Sequence, residues 1–344
     1  MKIDMCEEKS SYLLTDRVLR RYFTGVDVAE GMLILGKKTV YFTDSRYILS
    51  AKEKLKAKNI ECELYKDLDG VFKFLKNIGT EKLFIDYQTT TVKEYEDYIK
   101  NGISIFDCSD KLKKLMSVKR EEEIESITRA CKITERAYHD AIKTVKEGMT
   151  EIELRDLLDN LSLSYGAEGI AFETIVAFGK NSAVPHHETG NTVLEKDMPI
   201  LVDMGCKVNG YCSDLTRTAY FGTPDNEFIK VYESVLNANI LAEEKIFANL
   251  SCVKADKVAR DYLSTCGYGE FFTHSLGHGV GLNIHEYPTL SPKGKGELVE
   301  NTVFTIEPGV YLDHKFGVRI EDTVVIKEGK VKRLYSDDKQ LIIL

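Results

Sequence analysis

The sequence predicts two domains, an α/β domain followed by an α+β domain of strands and hairpins that carries the chemistry. Three observations lead there. The chain has 344 residues, more than one ordinary domain needs. Its first third alternates short apolar runs with helical stretches, whereas from about residue 170 the pattern changes to strands and hairpins. The carboxylates that are costly to bury lie in that second part. The polar stretch from Ser109 to Lys114 reads as a connector, which puts the first domain at 1–114 and the second at 117–344.

Composition narrows the function. A net charge of −8 argues against nucleic acid or an anionic membrane as a partner, since both favour basic surfaces. The opening residues offer no apolar stretch for a signal peptide, and no segment approaches the roughly 18 apolar residues of a membrane span. Eight cysteines are scattered without a Cys-x-x-Cys pair and read as reduced thiols. A soluble cytoplasmic protein is expected.

In the first domain, Met32–Leu35 and Thr39–Thr43 read as strands around a Gly-Lys-Lys turn. Tyr47–Lys56 has helical spacing, and Lys82–Asp86 and Ser104–Phe106 are short strand candidates. Ser117 reads as the N-cap of a long helix from about 118 to 146. Its apolar stripe is Ile124, Ile127, Cys131, Tyr138, Ile142 and Val145, and Gly148 is its stop. Thr150 with Glu153 makes a capping box for a second helix, and Thr223-Pro224 opens a third.

The first functional signal is a hairpin. Asn209-Gly210 joins two β-rich runs, and a type I′ turn there needs positive φ at both residues. Val208 then pairs with Tyr211, Asp203 falls opposite Thr216, and strand alternation puts Asp203 and Asp214 on one face. The two carboxylates become diagonal neighbours, about 7 Å apart at the backbone. Such a pair repels itself unless a cation lies between. Taken alone, the hairpin leaves open a salt bridge to Arg217 or a solvated position.

The pattern recurs. Glu307 and Glu321 each follow an isoleucine in an otherwise apolar run, where a lone carboxylate is costly. Arg319 is a possible partner and could equally steady a ligand carboxylate. Between these segments lie His274, His278 and His285, three of seven histidines within twelve positions. Gly277 and Gly279 argue against a helical His-x-x-x-His zinc motif, and the Gly277-x-Gly279-x-Gly281 spacing is wrong for a dinucleotide fingerprint. A Gly/Asn/Ser/Pro loop ends in His186.

Together these segments resemble the pita-bread metallopeptidase family, which includes methionine aminopeptidase, aminopeptidase P and prolidase. The match runs in order: Pro185-His186, Val202-Asp203-x-Gly205, Ser213-Asp214-Leu215-Thr216-Arg217-Thr218, His274-x3-His278-Gly279-x-Gly281 with His285, Thr305-Ile306-Glu307-Pro308-Gly309, and Arg319-Ile320-Glu321-Asp322. The Asp-to-Asp interval of 11 and the His278-to-His285 interval of 7 fit the family spacing. Phe42-Thr43-Asp44-Ser45-Arg46-Tyr47 looks like the N-terminal domain of proline-specific members and creatinase.

The resemblance implies a curved, mainly antiparallel sheet covered by helices. It implies two divalent ions, with Asp203 chelating one, His278 and Glu307 holding the other, and Asp214 and Glu321 bridging. Oxygen-rich ligation with one histidine suits manganese first, with cobalt, iron or zinc as alternatives. Glu307 would take a proton from the attacking water, His186 and His285 would hydrogen-bond the peptide, and His274 would line the proline pocket. Arg319, counted with His274 on the substrate side, would orient ligand carboxylates, and Thr216, the residue facing Asp203, could do the same. The implied activity is hydrolysis of the Xaa-Pro bond at the N-terminus of peptides. Thr289 stands where several microbial prolidases carry an arginine for the dipeptide carboxylate, which favours an aminopeptidase over a dipeptidase. Methionine aminopeptidases lack the first domain. The rival of another class is a non-catalytic binding module of this fold, but all five ligands are present. By analogy the first domain builds a homodimer.

Overall fold

The computed structural model describes residues 7–344, so Cys6 lies outside the described residues. The chain divides into two compact units, Met1–Met116 and Ser117–Leu344.

The first unit contains β1 (Ser10–Leu14), α1 (Arg17–Thr24), β2 (Met32–Leu35), β3 (Val40–Thr43), α2 (Ile48–Lys56), β4 (Glu61–Leu64), α3 (Leu68–Asn77), β5 (Lys82–Ile85), α4 (Val92–Ile99), β6 (Ser104–Asp107) and α5 (Ser109–Ser117). Its six strands form one mixed sheet in the order β4-β3-β2-β1-β5-β6. The strands expected from the apolar runs are there. The polar connector is not: Ser109–Ser117 is helical, because Leu112 and Met116, one turn apart, are both buried.

The second unit opens on α6 (Glu121–Ile142) and α7 (Glu151–Ser164). It continues through β7 (Gly169–Ile170), β8 (Ile175–Phe178), β9 (Met198–Met204), β10 (Cys206–Val208), β11 (Tyr211–Cys212) and β12 (Leu215–Phe221) to α8 (Asn226–Lys245) and α9 (Cys252–Thr265). It ends with β13 (Gly277–Gly279), β14 (Glu286–Leu290), β15 (Val303–Ile306), β16 (Gly309–Leu312), β17 (Phe316–Arg319), β18 (Glu321–Lys327) and β19 (Lys330–Arg333). The main sheet has eight strands, ordered β14-β13-β15-β18-β12-β9-β8, with β19 added to β18. Its paired strands are antiparallel throughout.

Two helix starts differ from expectation. α6 begins at Glu121, not 118: Ser117 closes α5, and the Arg120 amide is capped by the Glu123 carboxylate at 2.7 Å. α8 is capped by Asp225, which accepts from the Phe228 amide, two residues beyond Thr223. The α7 capping box at Thr150 and Glu153 forms as expected. The stripe Ile124, Ile127, Cys131, Tyr138 and Ile142 packs in one apolar core with β8, β9 and β12 residues. Seven cysteines, from Cys62 to Cys266, are free thiols. Among the described residues, no helix is long and apolar enough to cross a membrane.

Candidate active site

The site grows from the Asn209-Gly210 turn. Both residues have positive φ, 49° and 76°, and Val208 pairs with Tyr211. The same register continues across the ladder and sets Thr216 opposite Asp203. Between those pairs Gly205 brings the strands together: a Cβ there would lie 2.1 Å from the Ser213 carbonyl oxygen. Thr216 also faces Glu321 on β18, so the central strand carries the first carboxylate pair to the second.

One atom each from Asp214, His278 and Glu321 lies within 4.8 Å of the others. His278 Nε2 stands 3.5 Å from Asp214 Oδ2 and 3.4 Å from Glu307 Oε1. Its Nδ1 donates to the Gly279 carbonyl at 3.1 Å, and because that oxygen can only accept, the neutral ring turns a lone pair on Nε2 towards the carboxylates. Burial holds this imidazole below its ordinary pKa, which keeps it neutral. Asp203 receives Arg319 Nη2 at 2.6 Å.

The hydroxyl of Thr216 holds a carboxylate of the cluster, but not the one it faces across the hairpin. It donates to Glu321 Oε2 at 2.6 Å and accepts from Arg319 Nε at 3.0 Å, so it steadies Glu321, while Arg319 serves Asp203 directly. Arg217 forms its ion pairs with Asp322 and Asp337, not with the aspartates of the hairpin.

Electrostatics shows what the cluster lacks. Burial, then the charges of Glu321, Asp203 and Glu307, push the Asp214 carboxyl well above the carboxylate range. Burial, then Glu307 and Asp203, do the same to Glu321. Burial lifts Glu307 to about 7. Asp203 Oδ1 is buried with no hydrogen-bond partner. Four carboxylates share one guanidinium, that of Arg319. The formal surplus of three negative charges calls for cationic compensation. Ligands at about 2.1 Å from one ion lie roughly 3.0–3.4 Å apart, close to the His278 separations. The donor set therefore fits divalent metal: one imidazole nitrogen among carboxylate oxygens.

The other candidate histidines are His274, His285 and His186. His274 Nδ1 donates to the Ser275 carbonyl at 2.8 Å, leaving Nε2 to accept from the Tyr311 hydroxyl at 2.9 Å. Tyr311 in turn accepts from Arg319 Nη1 at 2.9 Å. Burial, helped by the Arg319 charge, drops the His274 pKa to about 3. The His285 ring is 4.3 Å from that of His278. His186 is exposed and follows Pro185, whose carbonyl accepts from Arg319 Nη1 at 3.2 Å. The loop carrying it is held by buried Glu151, which contacts His187 at 2.9 Å and accepts from the Phe178 amide at 2.8 Å and the Asn181 amide group at 2.8 Å.

Several supporting residues were not singled out from sequence: Tyr311, Glu151, Thr305, which donates to Glu307 Oε1 at 3.0 Å, and Lys119, buried in an ion pair with Glu286 at 2.8 Å beside His285. Tyr311 had a signal, since it stands four residues after Glu307; Lys119 and Glu286 are 167 positions apart and had none.

Comparison with known proteins places this geometry. Residues 125–328 match the model of metallopeptidase family M24, and residues 6–118 match the creatinase/prolidase N-terminal domain. The Xaa-Pro dipeptidase of Pyrococcus furiosus is 36% identical over 325 residues, covering 93% of this chain and 92% of the relative. The crystal structure of an X-Pro aminopeptidase from Thermotoga maritima matches with a TM-score of 0.90 at 33% identity, covering 97% of both chains. A structure of the Xaa-Pro dipeptidase from Bacillus anthracis matches with a TM-score of 0.93 at 33% identity, covering 97% of this chain and 95% of that one.

Proposed function

The chain belongs to metallopeptidase family M24, and on that footing we propose that it hydrolyses the bond between an N-terminal residue and a following proline. The observation that carries this reading is the convergence of Asp214, His278 and Glu321 atoms within 4.8 Å, in a chain whose relatives are named Xaa-Pro peptidases. Asp203, Asp214, His278, Glu307 and Glu321 would hold two divalent ions, manganese for preference, on the charge count and donor chemistry above. The chemistry supplied there would be a lowered pKa for water and polarisation of the scissile carbonyl.

The protein groups do the rest. Glu307, lifted to about 7, can accept and return a proton near neutral pH. His186 and His285, exposed beside the cluster, hydrogen-bond the peptide and the developing oxyanion. His274, kept neutral and fixed by Tyr311, presents a ring face to the proline side of the substrate. Arg319 spends its donors on Asp203, Thr216, Tyr311 and the Pro185 carbonyl, so its part is to hold the walls of the substrate site.

Acceptance of peptides longer than two residues rests on Thr289, an exposed hydroxyl that cannot pair with a dipeptide carboxylate as a guanidinium would. The dipeptidase reading is favoured by the Pyrococcus and Bacillus relatives. Comparing Xaa-Pro dipeptides with Xaa-Pro-Yaa tripeptides under added manganese separates them: tripeptide cleavage supports the aminopeptidase, and cleavage of the dipeptide alone establishes the dipeptidase. A cytoplasmic location is supported by the free thiols, which suit a reducing compartment. A homodimer is supported by the match of residues 6–118 to the creatinase/prolidase N-terminal domain.

A further inference from the structure

Behind the carboxylates lies a second buried polar cluster that the reaction does not use. Glu307 follows the last residue of β15, and Ile320 sits in the gap between β17 and β18. A buried carbonyl at such a break needs another partner. Asn239, fully buried on α8, supplies it twice: Nδ2 donates to the Ile306 oxygen at 2.8 Å and to the Ile320 oxygen at 3.1 Å. These are the residues immediately before Glu307 and Glu321. The Asn239 Oδ1 accepts from Lys339 Nζ at 2.6 Å, and the same ammonium pairs with Glu243 at 2.9 Å and Asp322 at 3.1 Å. Asp322 also receives Arg217 Nη2 at 2.8 Å, and Arg217 Nη1 donates to the Glu321 carbonyl at 2.6 Å.

Lys339 is 5% exposed and adopts a left-handed backbone with φ of 60°, a conformation that costs an L-residue energy. That cost is borne in a segment whose ammonium closes the ring of contacts. Asp337, two residues earlier, accepts from Arg217 Nε at 2.7 Å. The C-terminal segment thus reaches the carbonyls just before both glutamates through the Asn239 amide, and the Glu321 carbonyl through the Arg217 guanidinium.

We propose that Asn239 and Lys339 are positioning residues for Glu307 and Glu321, so that the C-terminal segment helps to set metal affinity. This rests on the reading of the carboxylate cluster as a metal centre. It follows from the general behaviour of metal sites, in which the partners of the ligands govern affinity nearly as strongly as the ligands.

The test is calorimetric titration of manganese into chelator-stripped protein. Asn239→Asp keeps the shape and the Lys339 partner but replaces the donor facing two carbonyls with an acceptor. Lys339→Met removes the ammonium and leaves the Asn239 amide. Asp16→Ala, which removes the side-chain cap of α1 in the first unit, serves as a destabilised control. Both cluster variants are expected to bind manganese about ten- to a hundredfold more weakly than the wild type, while Asp16→Ala binds as the wild type does. If Asn239→Asp fails to fold by circular dichroism, Lys339→Met decides on the same criterion. Variant affinity within twofold of wild type, with wild type binding normally, overturns the positioning role alone. A wild type that takes up no manganese overturns the metal centre, and this inference with it.

Discussion

A carboxylate buried among carboxylates persists only with positive charge beside it. Asp214 and Glu321 are in that position: each is all but fully buried, and each is pushed well above its ordinary pKa, first by burial and then by its neighbours' charge. Replacing either by alanine relieves the repulsion and removes a donor shared by the site. Asp214→Ala and Glu321→Ala should therefore lose metal-dependent turnover by at least about a thousandfold while keeping a wild-type circular dichroism spectrum; full activity in either would refute their role. A different residue-scale test lies in the first unit, where Arg17 grips Asp27 through two contacts of 2.7 Å. The hydrogen bond from Arg17 lowers the Asp27 pKa against the opposing effect of partial burial. A depressed carboxyl contributes stability above its unfolded value near 4 and loses it as pH falls through the lower folded value. The Arg17–Asp27 coupling, about 0.5 kcal/mol for so exposed a pair, should be present at pH 7 in a double-mutant cycle and vanish near pH 2. Glu307 and Glu321 were legible in the sequence because a carboxylate inside an apolar strand is costly. Asn239 was not, because an asparagine in a helix is ordinary, and only the fold shows what it touches.

At the scale of elements, one turn did most to reveal the site. The Asn209-Gly210 hairpin fixes the pairing of β9 with β12, so parity alone set Asp203 opposite Thr216, as the structure has it. What parity could not say is that β18 lies on the other side of β12, which turns the Thr216 hydroxyl to Glu321. The start of α6 was misread for a related reason: Ser117 is a good N-cap residue by type, but it ends α5, and Glu123 makes the cap from inside the next helix. The close packing of β13 on β15 gives an element-scale prediction. A Cβ on Gly277 would lie 1.9 Å from the Thr305 carbonyl oxygen, one residue from His278. Gly277→Ala should cost about 1–3 kcal/mol in denaturant unfolding and lower metal occupancy by moving His278; unchanged stability and occupancy would show that the strands part freely.

At the scale of the molecule, the two units have different work. The residues proposed for the metal site all fall in Ser117–Leu344, while residues 6–118 match the creatinase/prolidase N-terminal domain. That division was visible in the sequence as a change from alternating helices and strands to carboxylate-bearing hairpins. The C-terminal segment was not visible as part of the site, since Lys339 meets Asn239 and Asp322 only after the sheet has formed. The central claim is that four carboxylates and one imidazole make a two-ion peptidase. Its most direct test is manganese titration of chelated protein while the release of the N-terminal residue from an Ala-Pro-initiated tripeptide and dipeptide is followed. Activity on at least one of these should rise from zero and level off at about two ions bound per chain. Hydrolysis that is undiminished in the chelated protein, or binding of no ions after supplementation, would contradict it.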